Sequence, residues 1–225
     1  PELAGIHYSD AASHEECWRL LQQAGTSVAF ETQAHVPAYS AWLQDADWTP
    51  AYRRHRRLLQ LIGLRDPEKR WILKNPSHLI ALDTLLEVYP DAVIVVTHRD
   101  AVTCVASMCS LAEASTRGTS TTFVGETIGR TQLDLLGRQY DAYRKVRSTA
   151  PEAQFVDVEY ADLVADPVAA VRRVYDAAGM PWDDEVHATV SAELDASRSG
   201  PRAPRHHYAL GDYGLVENEV RDRFA

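Results

Sequence analysis

Residues 71–110 read WILKNPSHLIALDTLLEVYPDAVIVVTHRDAVTCVASMCS and show one construction twice. A short apolar run, Trp71 to Leu73 and then Ala92 to Val96, ends abruptly in charged and polar residues, and a helix-patterned segment starts at once behind it. Strand, polar turn and helix, repeated, predict a parallel sheet with helices packed on it. In such sheets ligands bind outside the carboxyl ends of the strands, where helix N-termini offer free N–H groups and the positive end of a dipole to anions. Lys74, His78, His98, Arg99 and Ser107 fall at or near the two turns.

The pattern extends in both directions. Asn75 and Pro76 open a helix through Leu79, Leu82, Leu85, Leu86 and Tyr89 that stops at Pro90. Asp100 caps a second helix through Ser110, rich in small apolar residues and suited to burial. A polar tract with Gly118 leads to a long helix over 122–148. Then Val156, Val158 and Tyr160 alternate with Asp157 and Glu159 as a third strand. Asp166 and Pro167 start a helix that Gly179 ends. The order β-α-β-α-α-β-α predicts an α/β fold, a parallel sheet flanked by helices.

Upstream, Ser13 and Glu16 are spaced as a capping box for a helix over 13–24. A helix over 49–64 carries RRHRR, Arg53 to Arg57. It reads as a solvated face over Tyr52, Leu58, Leu59 and Leu61, with phosphate binding as the minor alternative. From Ser197 the helical pattern fails, and RSGPRAPRHHYALGDYGL gathers Arg198, Arg202, Arg205, His206 and His207 in a crossover or a lid over an anionic ligand.

The 225 residues suffice for one substantial core, and residues 1–225 read as a single domain. The chain opens with Pro1 in polar, loop-like sequence and ends just after a new helical pattern begins, so it is expected to be incomplete at its N-terminus and truncated near its C-terminus. A net charge of −9 argues against nucleic acid as a partner. Cys17, Cys104 and Cys109 are odd in number and without CxxC spacing, which points to a reducing, cytoplasmic setting. No apolar run approaches the ~18 residues of a membrane span. No ligand cluster suggests a metal.

Together the turns describe a pocket for an anion of several charges. Arg99 offers paired donors to phosphate or sulfate oxygens, and Ser107, eight residues later, adds a hydroxyl about two helical turns on. A surface ion pair of Arg99 with Asp100 or Glu87 is the alternative, as is a backbone-bonded helix residue for His78.

The segments WILKNPSHL, VVTHRDAVTCVASM and FVDVEYADLVADP resemble, in order and spacing, the carboxyl-terminal two thirds of sulfotransferases that use 3′-phosphoadenosine-5′-phosphosulfate (PAPS), and most of all the bacterial, often actinobacterial, branch with a KxPxH turn. The resemblance spans Trp42 to Phe224. It implies a sulfotransferase fold like that of P-loop NTPases, with PAPS as cofactor and a hydroxyl of a small-molecule, lipid or glycan acceptor as partner. It implies that Arg99 and Ser107 hold the 3′-phosphate, that Tyr160 lies beside the adenine, and that Arg202, Arg205 and His207 close over the cofactor. Lys74 suits the bridging oxygen and the leaving phosphate; His78 is the candidate base, with His98 as fallback, and the mechanism needs no metal. Acceptor pockets fall in Thr26 to Trp48 and Ser115 to Phe123, where Tyr39, Trp42 and Trp48 are lining candidates or ordinary core.

Two departures stand out. The histidine lies four residues after the lysine, where cytosolic members place it two after. The strand, Gly/Ser/Thr-rich phosphate loop and helix with which members begin are not found between Pro1 and Ala225; GETIGRTQ at Gly125 lacks a preceding strand and a Gly-Lys pair. The phosphosulfate end is therefore expected from sequence outside these residues, and the chain alone is expected to bind the adenosine 3′-phosphate end weakly and not to turn over. Competing readings are a P-loop kinase relative that requires Mg²⁺ and a non-catalytic nucleotide-binding or interaction module. A serine hydrolase lacks its GxSxG elbow.

Overall fold

The computed structural model describes residues 15–198 and 208–225. Four helices lead in: α1 (Trp18–Gln22), α2 (Ala29–Gln33), α3 (Pro37–Gln44) and α4 (Thr49–Ile62). A 3₁₀ turn (Pro76–Ala81) continues into α5 (Leu82–Val88) and strand β1 (Ile94–His98). Helices α6 (Ala101–Thr116) and α7 (Gly125–Arg147) then carry the chain over to β2 (Phe155–Glu159). Behind it follow α8 (Tyr160–Ala165), α9 (Pro167–Ala177), α10 (Asp184–Ser197) and α11 (Glu217–Arg223).

β1 and β2 pair in parallel, with Ile94 opposite Phe155 and His98 opposite Glu159. A parallel pair needs a long crossover, which α6 and α7 supply. The architecture is α/β, helix-rich around a small parallel sheet. The third strand expected from the alternation ends one residue early, and Tyr160 instead opens α8.

Long helix α7 is amphipathic and stands between two apolar cores. Leu135 joins Val28, Leu43, Trp48, Tyr52, Leu82, Leu85 and Phe155. Ile128 and Leu133 join Val105, Cys109, Phe123, Tyr213, Leu215 and Val220. Each large side chain so buried contributes roughly 1.5–3 kcal/mol relative to exposure. GETIGRTQ is the first part of α7, and its second glycine has a packing role: a Cβ on Gly129 would run into the Tyr213 carbonyl. Helix α2 is tied to α7 by Glu31, fully buried, whose Oε1 lies 2.5 Å from Nη2 of Arg138.

The strand expected over Trp71 to Leu73 is not formed. The three side chains are 46%, 74% and 40% exposed, and no described strand pairs with them. Apolar residues make a strand only where a neighbouring edge satisfies their backbone groups. The helix expected from Asn75 onward is present in two parts: Asn75 accepts from the Ser77 N–H at 3.2 Å and caps the 3₁₀ turn, and non-helical backbone at Ala81 (φ −140°, ψ 46°) separates it from α5. Asp100 and Asp166 cap α6 and α9 as expected, accepting from Thr103 and Ala169 at 2.9 and 3.0 Å. Arg53, Arg54, Arg56 and Arg57 form the solvated face of α4, over buried Tyr52 and Leu59; Leu61 is exposed rather than inside. Helix α1 begins at Trp18; the capping box would need Ser13, which lies outside the described residues. Among the described residues no helix is long and apolar enough to cross a membrane.

Candidate functional site

Strand register builds the first half of the site. Because β1 and β2 run in parallel with His98 opposite Glu159, the residues that follow, Arg99 and Tyr160, emerge side by side at the carboxyl edge. The Arg99 guanidinium carbon sits 4.2 Å from the centroid of the Tyr160 ring. Neither alternative partner takes it: Asp100 caps α6 and pairs with Arg221 at 3.4 Å, and no described carboxylate pairs with Arg99. The Thr103 amide holds the Asp100 carboxyl below its ordinary value. Ser107 lies half-buried in the second turn of α6, with no hydrogen-bond partner among the described residues. A planar cation held over a ring beside a helix N-terminus presents paired N–H donors that can serve an anion.

The second half is the turn after Leu73. Lys74 points outward and pairs with the Glu16 carboxylate, while the Lys74 carbonyl accepts from the Cys17 N–H at 3.2 Å. Glu16 has the spacing of a local cap, and its contact with Lys74 across 58 residues leaves no local signal. His78, four residues on, turns inward. Its Nδ1 is 2.8 Å from the Tyr52 hydroxyl, and its ring meets His55 edge-on at 6.0 Å. His55 is buried in turn, with Nδ1 2.7 Å from the Tyr89 hydroxyl. Burial pushes the pKa of His78 down to about 3, with repulsion from His55 adding to it, and that of His55 down to about 4. Burial raises both phenols. Both imidazoles are neutral at pH 7. The Tyr52–His55 signal was readable as inward-facing residues three apart on α4.

The remaining expected residues divide. His98 donates toward neither half: its Nε2 lies 2.7 Å from Asp157, which also pairs with Arg147 at 3.1 Å, a cross-strand ionic cluster. No hydrogen bond, ion pair or ring contact among the described residues joins the Lys74–His78 group to the Arg99–Tyr160 group. Arg202, Arg205 and His207 lie outside the described residues. The two segments expected to shape an acceptor pocket do meet, His35 stacking on buried Phe123 at 6.2 Å. Two neighbouring cavities are lined from the first of them, one of 350 Å³ with Trp48, Ile80 and Arg138 and one of 250 Å³ with Glu31, His35 and Ser40. Tyr39 is core-like, donating to the Gly25 carbonyl at 2.9 Å, and Trp42 is exposed.

With this arrangement in view, the family described as "Sulfotransferase family" matches residues 1–184. The chain belongs to the sulfotransferase family. It is 28% identical over 188 residues to the omega-hydroxy-beta-dihydromenaquinone-9 sulfotransferase Stf3 of Mycobacterium bovis and of Mycobacterium tuberculosis, a match covering 78% of this chain and 46% of that protein. The solved structure of sulfotransferase STF1 from Mycobacterium tuberculosis superposes with a TM-score of 0.88 at 47% identity, covering 99% of this chain and 57% of that one. Sulfotransferase STF9 from Mycobacterium avium gives 0.84 at 26% identity, covering 97% and 56%. This sulfotransferase chain thus spans about half the length of the relatives it matches. The kinase reading gives way to the family, and the fold is that of the sulfotransferases.

Proposed function

We propose that residues 1–225 form one α/β domain carrying the nucleotide pocket and the transfer turn of a sulfotransferase that uses PAPS as donor and a hydroxyl of a small-molecule or lipid acceptor. The observation that carries this is Arg99, which stands at the carboxyl edge of the parallel pair without a described carboxylate partner and lies on Tyr160. Such a guanidinium supplies paired donors to the 3′-phosphate, the Ser107 hydroxyl a further one, and the Tyr160 ring a flat surface for the adenine.

Bound, the donor supplies an activated sulfuryl group: the acceptor oxygen bonds to sulfur while the bond from sulfur to the 5′-phosphate oxygen breaks, and the hydroxyl proton leaves to a base. Lys74 neutralises charge growing on the phosphate side, for which it exchanges Glu16 for the ligand. His78 and Glu16 are the two groups at this turn able to handle the proton. The acceptor occupies the cavities beside Trp48 and His35, and the omega-hydroxy-beta-dihydromenaquinone-9 named for the Stf3 relatives supports an acceptor bearing a hydroxyl. Three free thiols, two of them buried, fit a reducing cytoplasmic setting.

Calorimetric titration tests the nucleotide pocket. Adenosine 3′,5′-bisphosphate is expected to bind at least about tenfold tighter than adenosine 5′-monophosphate, the worth of one charge-assisted contact set. Equal binding of the two by the folded chain would remove the 3′-phosphate pocket.

A further inference from the structure

We propose that Tyr52 is a positioning residue for the transfer turn: its hydroxyl donates to Nδ1 of His78, fixing the imidazole in the tautomer that carries its proton on Nε2, so that His78 offers the site a hydrogen-bond donor. The inference rests on the sulfotransferase reading for its catalytic meaning, and on the geometry of the buried cluster for the tautomer.

A neutral imidazole has one N–H and one lone pair, and a phenol has one hydroxyl proton to place. The Tyr52 oxygen and His78 Nδ1 are 2.8 Å apart, so one donates and the other accepts. If Nδ1–H donated, the hydroxyl proton of Tyr52 would need a second acceptor. Tyr52 is fully buried, and no other partner for its hydroxyl exists among the described residues. A sealed donor costs about 1–3 kcal/mol. With Tyr52 as donor neither group of this pair is left buried and unsatisfied, because Nε2–H then lies on the half-buried ring of His78, open to a ligand. Burial keeps the phenol protonated and the imidazole neutral. The ring is held from both sides: Tyr52 is fixed in α4 beside Trp48 at 6.4 Å, and His55, anchored by Tyr89, stands edge-on at 6.0 Å.

A fixed N–H suits an oxyanion, here a sulfuryl or phosphate oxygen, and gains strength in a partly dry site. With the Nδ1 lone pair taken by Tyr52 and a proton already on Nε2, His78 does not receive the acceptor proton. That proton passes to the Glu16 carboxylate that Lys74 has released: the acceptor O–H bond breaks as its oxygen bonds to sulfur, the bond from sulfur to the 5′-phosphate oxygen breaks, and a carboxyl O–H forms.

The test is the histidine side-chain nitrogen spectrum of the ligand-free chain, labelled with ¹⁵N at its nine histidines. The signals of His78 are identified by their loss in His78→Gln. The wild type is expected to show His78 in the single Nε2–H form, and Tyr52→Phe to spread it into both tautomers while the circular dichroism stays unchanged. An Nδ1–H form in the wild type overturns the proposal without any variant, and an unaltered tautomer in Tyr52→Phe overturns the positioning role. Because no ligand is present, failure of the nucleotide titration removes the 3′-phosphate pocket and leaves the tautomer result standing on its own.

Discussion

Arg99 and Lys74 each follow an apolar run at the start of a helical segment, yet the fold treats them in opposite ways. Arg99 has an aromatic ring and no described carboxylate; Lys74 has a carboxylate, and its neighbour His78 is held through Nδ1 by buried Tyr52. A cation without a counter-ion is ready for an anion, whereas a paired one must exchange partners. Under the proposed function, the carboxyl edge of the sheet serves permanent charge, the phosphate, and the Lys74 turn serves charge that develops during transfer.

The contrast can be broken by emptying the sealed side. Tyr52→Ala removes a fully buried ring together with the anchor of His78 and is expected to destabilise the chain by about 3–5 kcal/mol in chemical denaturation, whereas Tyr160→Ala, at a 39% exposed position, stays within about 0.5 kcal/mol. Acid separates the two regions next. The folded pKa values of His55 and His78 lie below the ordinary 6.5, so the unfolded state binds more protons between pH 6.5 and about 4. Stability is then expected to fall with falling pH in that window, by up to about 1.4 kcal/mol per pH unit for each histidine, and to be flat above it. A denaturation series without that slope would place the two rings in water. On the open side, Tyr160→Ala is expected to weaken bisphosphate binding about two- to fivefold, the value of an exposed cation–π contact, read by calorimetry. The smallest effect belongs to Glu16→Gln, which removes an exposed ion pair and is expected to shift stability in chemical denaturation by less than about 1 kcal/mol.

Periodicity made the helices, β1, β2 and the caps at Asp100 and Asp166 legible, because these depend on neighbours in the chain. The family motifs assigned Arg99 and Tyr160 to one nucleotide; that the two touch comes from the strand register. What sequence did not give were contacts set by tertiary packing. Trp71 to Leu73 have the composition of a strand, but their fate depends on an edge supplied from elsewhere. Glu16 meets Lys74 across 58 residues, and the middle histidine of RRHRR turns inward among arginines that stay in water. GETIGRTQ, without the preceding strand of a phosphate loop, is helical, but the role of its Gly129 in the close approach of Tyr213 had no local signal.

The central claim is that Arg99 is the phosphate-binding cation. Titration of adenosine 3′,5′-bisphosphate into wild type and Arg99→Ala, with folding checked by circular dichroism, tests it directly. Loss of a charge-assisted contact worth about 1.5–3 kcal/mol predicts a roughly 10- to 150-fold weaker variant. Equal affinity in the two folded proteins would contradict the account.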